Sequence, residues 1–191
     1  CVAMRFFVLL PARWFAFLTG FMGIAVPAWG QTGLSVAVTD QPTEWTIRQG
    51  GRKLLVYAFG RERYKPCVKE LSTLQGDNLL RDAPPDHPHH HALMYAIRVN
   101  GLNFWEEVSG SGVQKPVASP PPELGTNAAG LPQAILRQTL HWLAPQDAFL
   151  PDTPALALLV EQRTLVLTVD PTRDEVALRW SAEFTVGGKT N

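Results

Sequence analysis

Beyond residue 30 the sequence is a series of short apolar runs, many of them alternating with polar residues, that Gly, Pro, Asp and Asn separate. Successive side chains of a strand point to opposite faces, so such runs indicate strands, whereas helical periodicity is scarce. Strands are predicted at residues 34–39, 44–48, 53–59, 67–73, 93–99, 102–105, 134–143, 157–169 and 175–186. The sequence therefore predicts an all-β chain that folds as an antiparallel β-sandwich.

Turn-forming residues separate several of these predicted strands. The Gly-Gly pair at 50–51 favours a tight hairpin, and the Asn-Gly pair at 100–101 is typical of a type I′ hairpin turn. The Asp-Pro-Thr segment at 170–172 favours a turn between two long strands. The stretch 109–132 contains three consecutive prolines and few apolar residues, so we expect a Pro/Gly-rich loop within the domain.

The first thirty residues have the pattern of a secretory signal peptide. Met4 is the expected initiator. Arg5 and Arg13 come before the apolar segment at residues 14–26, which carries no charge. That run is too short to span a bilayer, and Ala-Trp-Gly at 28–30 offers small residues for cleavage before Gln31. An uncleaved anchor is the alternative, which the Arg and Pro inside the longer run disfavour. We expect a periplasmic or secreted protein with no membrane span after signal cleavage.

Residues 31–191 are enough for one domain with a single core. The formal net charge of the sequence is zero and no basic stripe is present, so nucleic acid is not an expected partner. Cys67 is the one cysteine left after cleavage, which excludes an intramolecular disulfide and favours a small buried side chain. The chain stops soon after the predicted strand at 175–186, so we expect an incomplete sandwich that lacks its last strands.

Four of the five histidines lie in the segment Asp86-His87-Pro88-His89-His90-His91. Proline restricts its own backbone and that of the residue before it, so we expect an extended segment in which His87, His89 and His91 share one face and His90 points the opposite way. Three imidazoles on one side are a candidate site for a divalent transition metal: Zn, Fe, Cu or Ni. Asp82, Asp86, Glu106 and Glu107 are the candidate carboxylate ligands.

Two other interpretations of the histidines remain open. In the first, a metal-free cleft uses histidines for proton transfer to a sugar or other hydroxylated substrate. The candidate catalytic residues are His87, His89, His91, Glu161 and Arg163, of which the last two lie two apart on one strand. The candidate substrate-binding residues are Arg81, Asp82, Asp86, His90 and Trp105. In the second, the histidines form only a structural surface loop.

Aromatic residues give a further hypothesis, a non-catalytic carbohydrate-binding module. The flat ring of Trp105 is suited to stacking on a pyranose, although strand tryptophans such as Trp142 and Trp180 are expected in the core. Lys65, Lys69 and Glu70 are expected on a solvated strand face.

Four segments resemble the PmoA-like family of bacterial proteins: residues 64–69, 80–91, 99–105 and 161–165, with Asp-His-Pro-His-His-His at 86–91 as the most specific marker. The resemblance implies a β-rich protein of unproven activity, linked to carbohydrate metabolism and similar in fold to mutarotase-type supersandwiches. The family label refers to a methane oxygenase, but nothing in the sequence resembles the several spanning helices of a membrane-embedded subunit. We therefore expect an exported protein that binds or acts on a carbohydrate or related small molecule through a His-rich cleft. A metal-dependent oxidoreductase or hydrolase is the alternative enzyme class.

Overall fold

This computed structural model describes residues 2–8, 33–37, 42–150 and 154–189 of the chain. The predicted apolar targeting stretch at 14–26 and the cleavage site before Gln31 lie outside the described residues. Within these described ranges the chain forms thirteen strands: β1 Val2–Val8, β2 Leu34–Val36, β3 Glu44–Gln49, β4 Arg52–Ala58, β5 Cys67–Leu71, β6 Leu93–Met94, β7 Arg98–Val99, β8 Leu102–Asn103, β9 Val113–Ala118, β10 Glu123–Thr126, β11 Pro132–Leu143, β12 Leu159–Asp170 and β13 Glu175–Val186. Two 3₁₀ turns lie at Pro145–Asp147 and Pro154–Leu156.

The strands form two main antiparallel sheets. One has the order β1-β13-β12-β11-β10, with β9 also paired to β11, and the other has the order β2-β3-β4-β5-β6. Strands β7 and β8 form a separate hairpin. Side chains from both main sheets join one apolar core, so the predicted antiparallel β-sandwich is confirmed.

Alternating burial explains how the sequence encodes this core. In β13, Val176, Leu178, Trp180 and Ala182 are buried, and the residues between them are more exposed. They meet residues such as Ile47 from the opposite sheet. Because one face of the strand is apolar and the other is not, the register of β13 is fixed by burial. The predicted core positions of Trp142, Trp180 and Cys67 are confirmed as well.

The predicted hairpin turns are confirmed. Gly50 and Gly51 have φ of 53° and 83°, and Asn100 and Gly101 have φ of 49° and 80°. Positive φ at both central residues is what a type I′ turn requires. At the turn after β12, a carboxylate oxygen of Asp170 accepts hydrogen bonds from backbone N–H groups of the next residues.

The stretch 109–132, expected as a loop, contains two strands, and the expectation is corrected here. Strand β9 pairs with the second half of β11 and β10 with its first residues. The three prolines lie between β9 and β10, where the chain passes from one pairing to the other. All four residues of β10 are exposed, so the sequence carries no apolar alternation that would reveal it.

The predicted strand at 93–99 is divided into β6 and β7. Strand β6 pairs with β5, whereas β7 pairs with β8, so the chain leaves the sheet between them. The carbonyl of Tyr95 in this gap accepts a hydrogen bond of 2.7 Å from Gln114. This break directs the chain from the His segment to the hairpin that precedes Trp105.

Strand β1 lies antiparallel beside β13, in the part of the chain where the targeting segment is predicted to begin. Across residues 2–8, 33–37, 42–150 and 154–189, no helix has the length and apolar character needed to cross a bilayer.

Candidate functional site

The His segment folds as two consecutive β-turns, and the expected extended conformation is wrong. The N–H of His87 donates to the carbonyl of Pro84 at 2.9 Å, and the N–H of His90 donates to the carbonyl of His87 at 3.0 Å. Pro85 and Pro88 therefore occupy the second position of each turn, where the fixed φ of proline is most favourable. Pro85 and Pro88 are three residues apart, and each begins a turn. The turns bring together residues that are three apart in the sequence, whereas a strand would align residues two apart.

His87, His89, His90 and Trp105 form a half-exposed aromatic group that we call the outer ring cluster. The rings of His87 and His90 stack with centroids 4.8 Å apart, and His89 lies edge-on to His90 at 4.5 Å. Trp105 also meets His90 edge-on, at 5.4 Å. The expectation that His90 faces away from the other histidines is corrected, because the second turn places it against His87.

The indole of Trp105 donates to Nε2 of His90 at 3.3 Å. Indole N–H only donates, so this contact requires an unprotonated Nε2 on His90. Desolvation, together with the neighbouring His89 and His87, lowers the pKa of His90, which agrees with a neutral ring. Trp105 is thereby fixed at the surface with 42% of its area exposed.

His91 points away from this face into an ion-paired group that we call the inner ion-pair cluster: Lys65, Asp82, His91 and Glu107. Its Nδ1 lies 2.8 Å from Asp82, and its Nε2 lies 3.1 Å from Glu107. The Lys65 side chain is fully buried and donates to Glu107 and to the carbonyl of Trp105, both at 2.8 Å. The expected solvated position of Lys65 is therefore corrected.

The neighbouring carboxylates favour the charged form of His91. The hydrogen bond to Glu107 raises the pKa of His91, and the bond to Asp82 adds to this effect against the opposing effect of burial. Burial acts to raise the pKa of Glu107, but hydrogen bonds from His91 and Lys65 outweigh it and lower the pKa. When both ring nitrogens donate, His91 is an oriented imidazolium, and the formal charges of the inner ion-pair cluster then cancel.

Metal-ligating atoms converge at a different set from the predicted one. Among the described residues, Cys67, Asp82 and His91 each offer a ligand atom within 4.8 Å of the others. The predicted trio of His87, His89 and His91 does not converge in this way, since the double turn separates His91 from the outer ring cluster. Burial raises the pKa of the Cys67 thiol to about 11, so an ion would have to displace its proton.

Glu161 and Arg163 share a face of β12, as their spacing predicts, and both are buried. The Arg163 guanidinium donates to Glu161 at 2.6 and 2.9 Å, to Tyr57 at 3.1 Å and to Gln114 at 3.1 Å. It also lies over the ring of Trp180 at 4.6 Å. The guanidinium donors of Arg163 are thus bonded to other protein groups. This geometry indicates that Glu161 and Arg163 stabilise the core.

The segment 65–67 connects this buried network with the inner ion-pair cluster. Lys65 reaches Glu107, the carbonyl of Pro66 accepts from Arg163 at 3.4 Å, and Cys67 approaches Asp82 and His91. Lys65 and Cys67 were not identified as site residues from the sequence. Their partners lie far along the chain, and Lys65 differs from surface lysines only in its position between aromatic and proline residues.

The remaining predicted contacts, Arg81 and Asp86, are exposed. Asp86 lies 3.1 Å from Nδ1 of His87 in a solvent-accessible pair, and the hydrogen bond from His87 lowers the pKa of Asp86. Such exposed pairs contribute little to stability. Asp82, by contrast, lies against His91 in the inner ion-pair cluster.

Comparison with known proteins bears on the family. No curated protein and no solved structure matches the chain. One family model matches residues 44–190, a stretch that reaches from β3 to beyond β13. That model is not of the PmoA-like family, so the assignment made from the four sequence segments, with its methane oxygenase label, is wrong. The chain belongs to the family described as "Family of unknown function (DUF6807)".

Proposed function

We propose that the protein binds carbohydrate at the outer ring cluster. The observation that carries the proposal is the exposure of Trp105, at 42%, beside half-exposed histidines. An indole ring offers a flat apolar surface to the C–H face of a pyranose, and neighbouring polar groups can bind hydroxyls. The buried tryptophans Trp142 and Trp180 belong to the core.

Three contacts fix Trp105 before any ligand arrives. Its N–H donates to the side chain of Asn103 at 2.8 Å, its carbonyl accepts from Lys65 at 2.8 Å, and its indole donates to His90 at 3.3 Å. A ring held in this way loses little conformational freedom on binding. Lys65 therefore links the inner ion-pair cluster to the backbone of Trp105 and helps to hold its ring in place.

Polar groups beside the ring are suited to hydroxyl recognition. Glu106 is exposed and accepts a hydrogen bond of 2.9 Å from Asn103, so its carboxylate has a defined position next to Trp105. A carboxylate accepts from sugar hydroxyls, and a neutral imidazole both donates and accepts. The surface thus combines one stacking ring with acceptors and donors along its edge.

The test is a panel of neutral mono- and oligosaccharides, followed by calorimetry with wild type, Trp105→Ala and Phe149→Ala. Phe149 is the matched control because it is an exposed aromatic residue outside the outer ring cluster. We expect Trp105→Ala to weaken binding by about tenfold, the effect of a stacking contact of about 1–1.5 kcal/mol. Phe149→Ala should bind as wild type does. Absence of binding to the whole panel, or equal binding by Trp105→Ala, contradicts the proposal.

A second candidate function, metal-dependent oxidation or hydrolysis, is favoured by the convergence of Cys67, Asp82 and His91. Thiolate, carboxylate and imidazole together suit zinc, and three protein ligands leave a position for water or substrate. The Nδ1 of His91 faces Asp82, while Nε2 meets Glu107. A carboxylate on the second nitrogen of a ligating histidine is the usual way to orient such a ring.

The metal candidate is tested by elemental mass spectrometry of untagged protein, with Cys67→Ser, His91→Gln and His89→Gln variants. We expect about one equivalent of a transition metal that both Cys67→Ser and His91→Gln lose. His89→Gln is the control because His89 lies in the outer ring cluster and should keep the metal. Metal-free wild type, or metal loss in His89→Gln, counts against this assignment.

A further inference from the structure

A second concave site lies on the surface formed by the turn before Tyr64, the start of β9 and the first 3₁₀ turn. It has a volume of about 540 Å³. Its lining includes Arg61, Glu62, Arg63 and Lys115. Trp105 and the histidines are not part of this lining, so the cavity is distinct from the outer ring cluster.

Positive charge predominates in this cavity. Three cationic side chains, Arg61, Arg63 and Lys115, line it together with one carboxylate, that of Glu62. The Glu62 carboxylate folds back against the backbone of Gly60. A Cβ added at Gly60 would clash with this carboxylate. Lys115 donates to the carbonyl of Ala148 at 3.2 Å, which joins β9 to the opposite wall. The cavity therefore has a defined shape and an excess of guanidinium and ammonium donors.

Apolar and aromatic side chains complete the cavity. Tyr64, Val113 and Ala148 contribute to its walls, and Phe149 lines it while 94% of its area remains exposed. Phe149 is a large apolar side chain in contact with water beside a concave site. A ligand that covers it removes apolar surface from water, which favours binding. The ligand should therefore combine an anionic group with a flat or apolar body.

We propose that this cavity binds a small ring-bearing carboxylate. The planar fork of a guanidinium matches a carboxylate with two parallel hydrogen bonds, and both Arg61 and Arg63 line the cavity. The ring lies against Tyr64 and Phe149, and Lys115 adds a third cationic donor. Sugar acids and aromatic acids share this chemistry, and the site is independent of carbohydrate binding at Trp105.

The test measures binding of D-glucuronate and benzoate to the Trp105→Ala variant by calorimetry, so that sugar binding at the outer ring cluster does not contribute, with glucose, benzamide and inorganic phosphate as comparison ligands. At least one of the two acids should bind while its neutral counterpart does not. The acid that binds more tightly shows whether the site prefers a sugar ring or an aromatic ring. Binding should weaken as salt concentration rises, because the contact is ionic. Binding by neither acid, equal binding of an acid and its neutral counterpart, or equal binding of phosphate overturns the proposal.

Variants locate the site. Arg63→Gln and Arg61→Gln should each weaken acid binding by about tenfold, the effect of losing a charged hydrogen bond. Two variants are used so that one remains informative if the other alters folding. Arg98→Gln is the matched control because it removes an exposed arginine on β7 that does not line the cavity. Each of these variants also carries Trp105→Ala, which separates this site from the outer ring cluster. Acid binding that survives both cavity variants, or that Arg98→Gln weakens equally, contradicts the assignment.

Discussion

His90 and His91 are adjacent in the sequence, yet their surroundings shift their pKa values in opposite directions. Desolvation and neighbouring imidazoles lower the pKa of His90, whereas carboxylates on both nitrogens raise that of His91. The second β-turn ends between these two residues, so one ring joins the outer ring cluster and the other the inner ion-pair cluster. The surroundings of His90 therefore favour a neutral ring that can bind hydroxyls, whereas those of His91 favour an imidazolium that forms ion pairs.

The charged state of His91 is open to direct measurement. In protein treated with a chelator, the proton NMR titration of His91 should give a pKa above its ordinary value of 6.5. Glu107→Gln should lower this pKa, because the hydrogen bond to Glu107 is the largest cause of the shift. Glu106→Gln is the control, since Glu106 bonds to Asn103, and it should change the titration little. A His91 pKa at or below 6.5 would contradict the ion-paired geometry.

Stability should depend on pH in a way that follows from this shift. A histidine whose pKa is higher in the folded state stabilises the fold fully below its unfolded pKa, and the effect disappears as pH rises through the folded pKa. The lowered pKa of Glu107 adds stability that is present above its unfolded pKa and lost in acid. The inner ion-pair cluster should therefore stabilise most between about pH 5 and pH 6.

Urea unfolding of chelator-treated wild type and His91→Gln at pH 5.5 and pH 9 measures this dependence. The destabilisation caused by His91→Gln should be larger at pH 5.5. His89→Gln, in the outer ring cluster, should show a smaller change between the two pH values. A destabilisation that grows toward pH 9 would show that His91 is neutral in the folded protein.

At the scale of elements, the sequence predicts the hairpin turns correctly, but the predicted effect of the prolines on the His segment is wrong. The Asn-Gly turn at 100–101 appears as predicted, because its positive φ values depend on two adjacent residues. Pro85 and Pro88 were expected to extend the His segment, but each initiates a turn instead. Proline at φ near −65° is compatible with both conformations, so local sequence left the choice to tertiary contacts. The exposed strand β10 was missed because exposed strands carry no apolar alternation.

The β7–β8 turn offers a test of backbone strain close to Trp105. Gly101→Ala should destabilise the protein by about 1–2 kcal/mol, since φ of 80° is unfavourable for a residue with a Cβ. Gly125→Ala is the matched control: Gly125 lies in β10 without a positive φ, and nothing lies within 4 Å of an added Cβ. Chemical denaturation of both variants measures the difference. Equal stability of the two variants would exclude a type I′ turn at 100–101.

At the scale of the whole molecule, a buried polar network joins the two sheets. Tyr57 on β4 contacts Gln138 on β11 at 2.5 Å and Arg163 on β12 at 3.1 Å. Burial raises the pKa of Tyr57 to about 12, so its hydroxyl stays protonated at neutral pH. The sequence could predict that Glu161 and Arg163 share a face, because that depends on their spacing. It could not predict the partners from the other sheet, which are brought near only by folding.

Removal of the central cation should destabilise the sandwich strongly. Arg163→Met leaves the Glu161 carboxylate buried with Trp142 as a remaining donor, so we expect a loss of about 3–5 kcal/mol in the free energy of unfolding. Arg179→Met is the control, because Arg179 is exposed on β13 and its loss should change stability by less than about 0.5 kcal/mol. Urea denaturation compares the two variants. Similar midpoints would mean that the network is dispensable for stability.

Strand β1 precedes the other described strands in the chain, and its partner β13 follows them. Val2 pairs with Phe184 and Val8 with Leu178, so this pairing joins opposite ends of the described chain. Closing so long a loop costs entropy before any hydrogen bond forms, which makes such contacts slow. We therefore expect the edge of β13 to be among the last parts of its sheet to be covered. Cleavage of the predicted targeting segment before Gln31 would remove β1 and leave the edge of β13 without this partner.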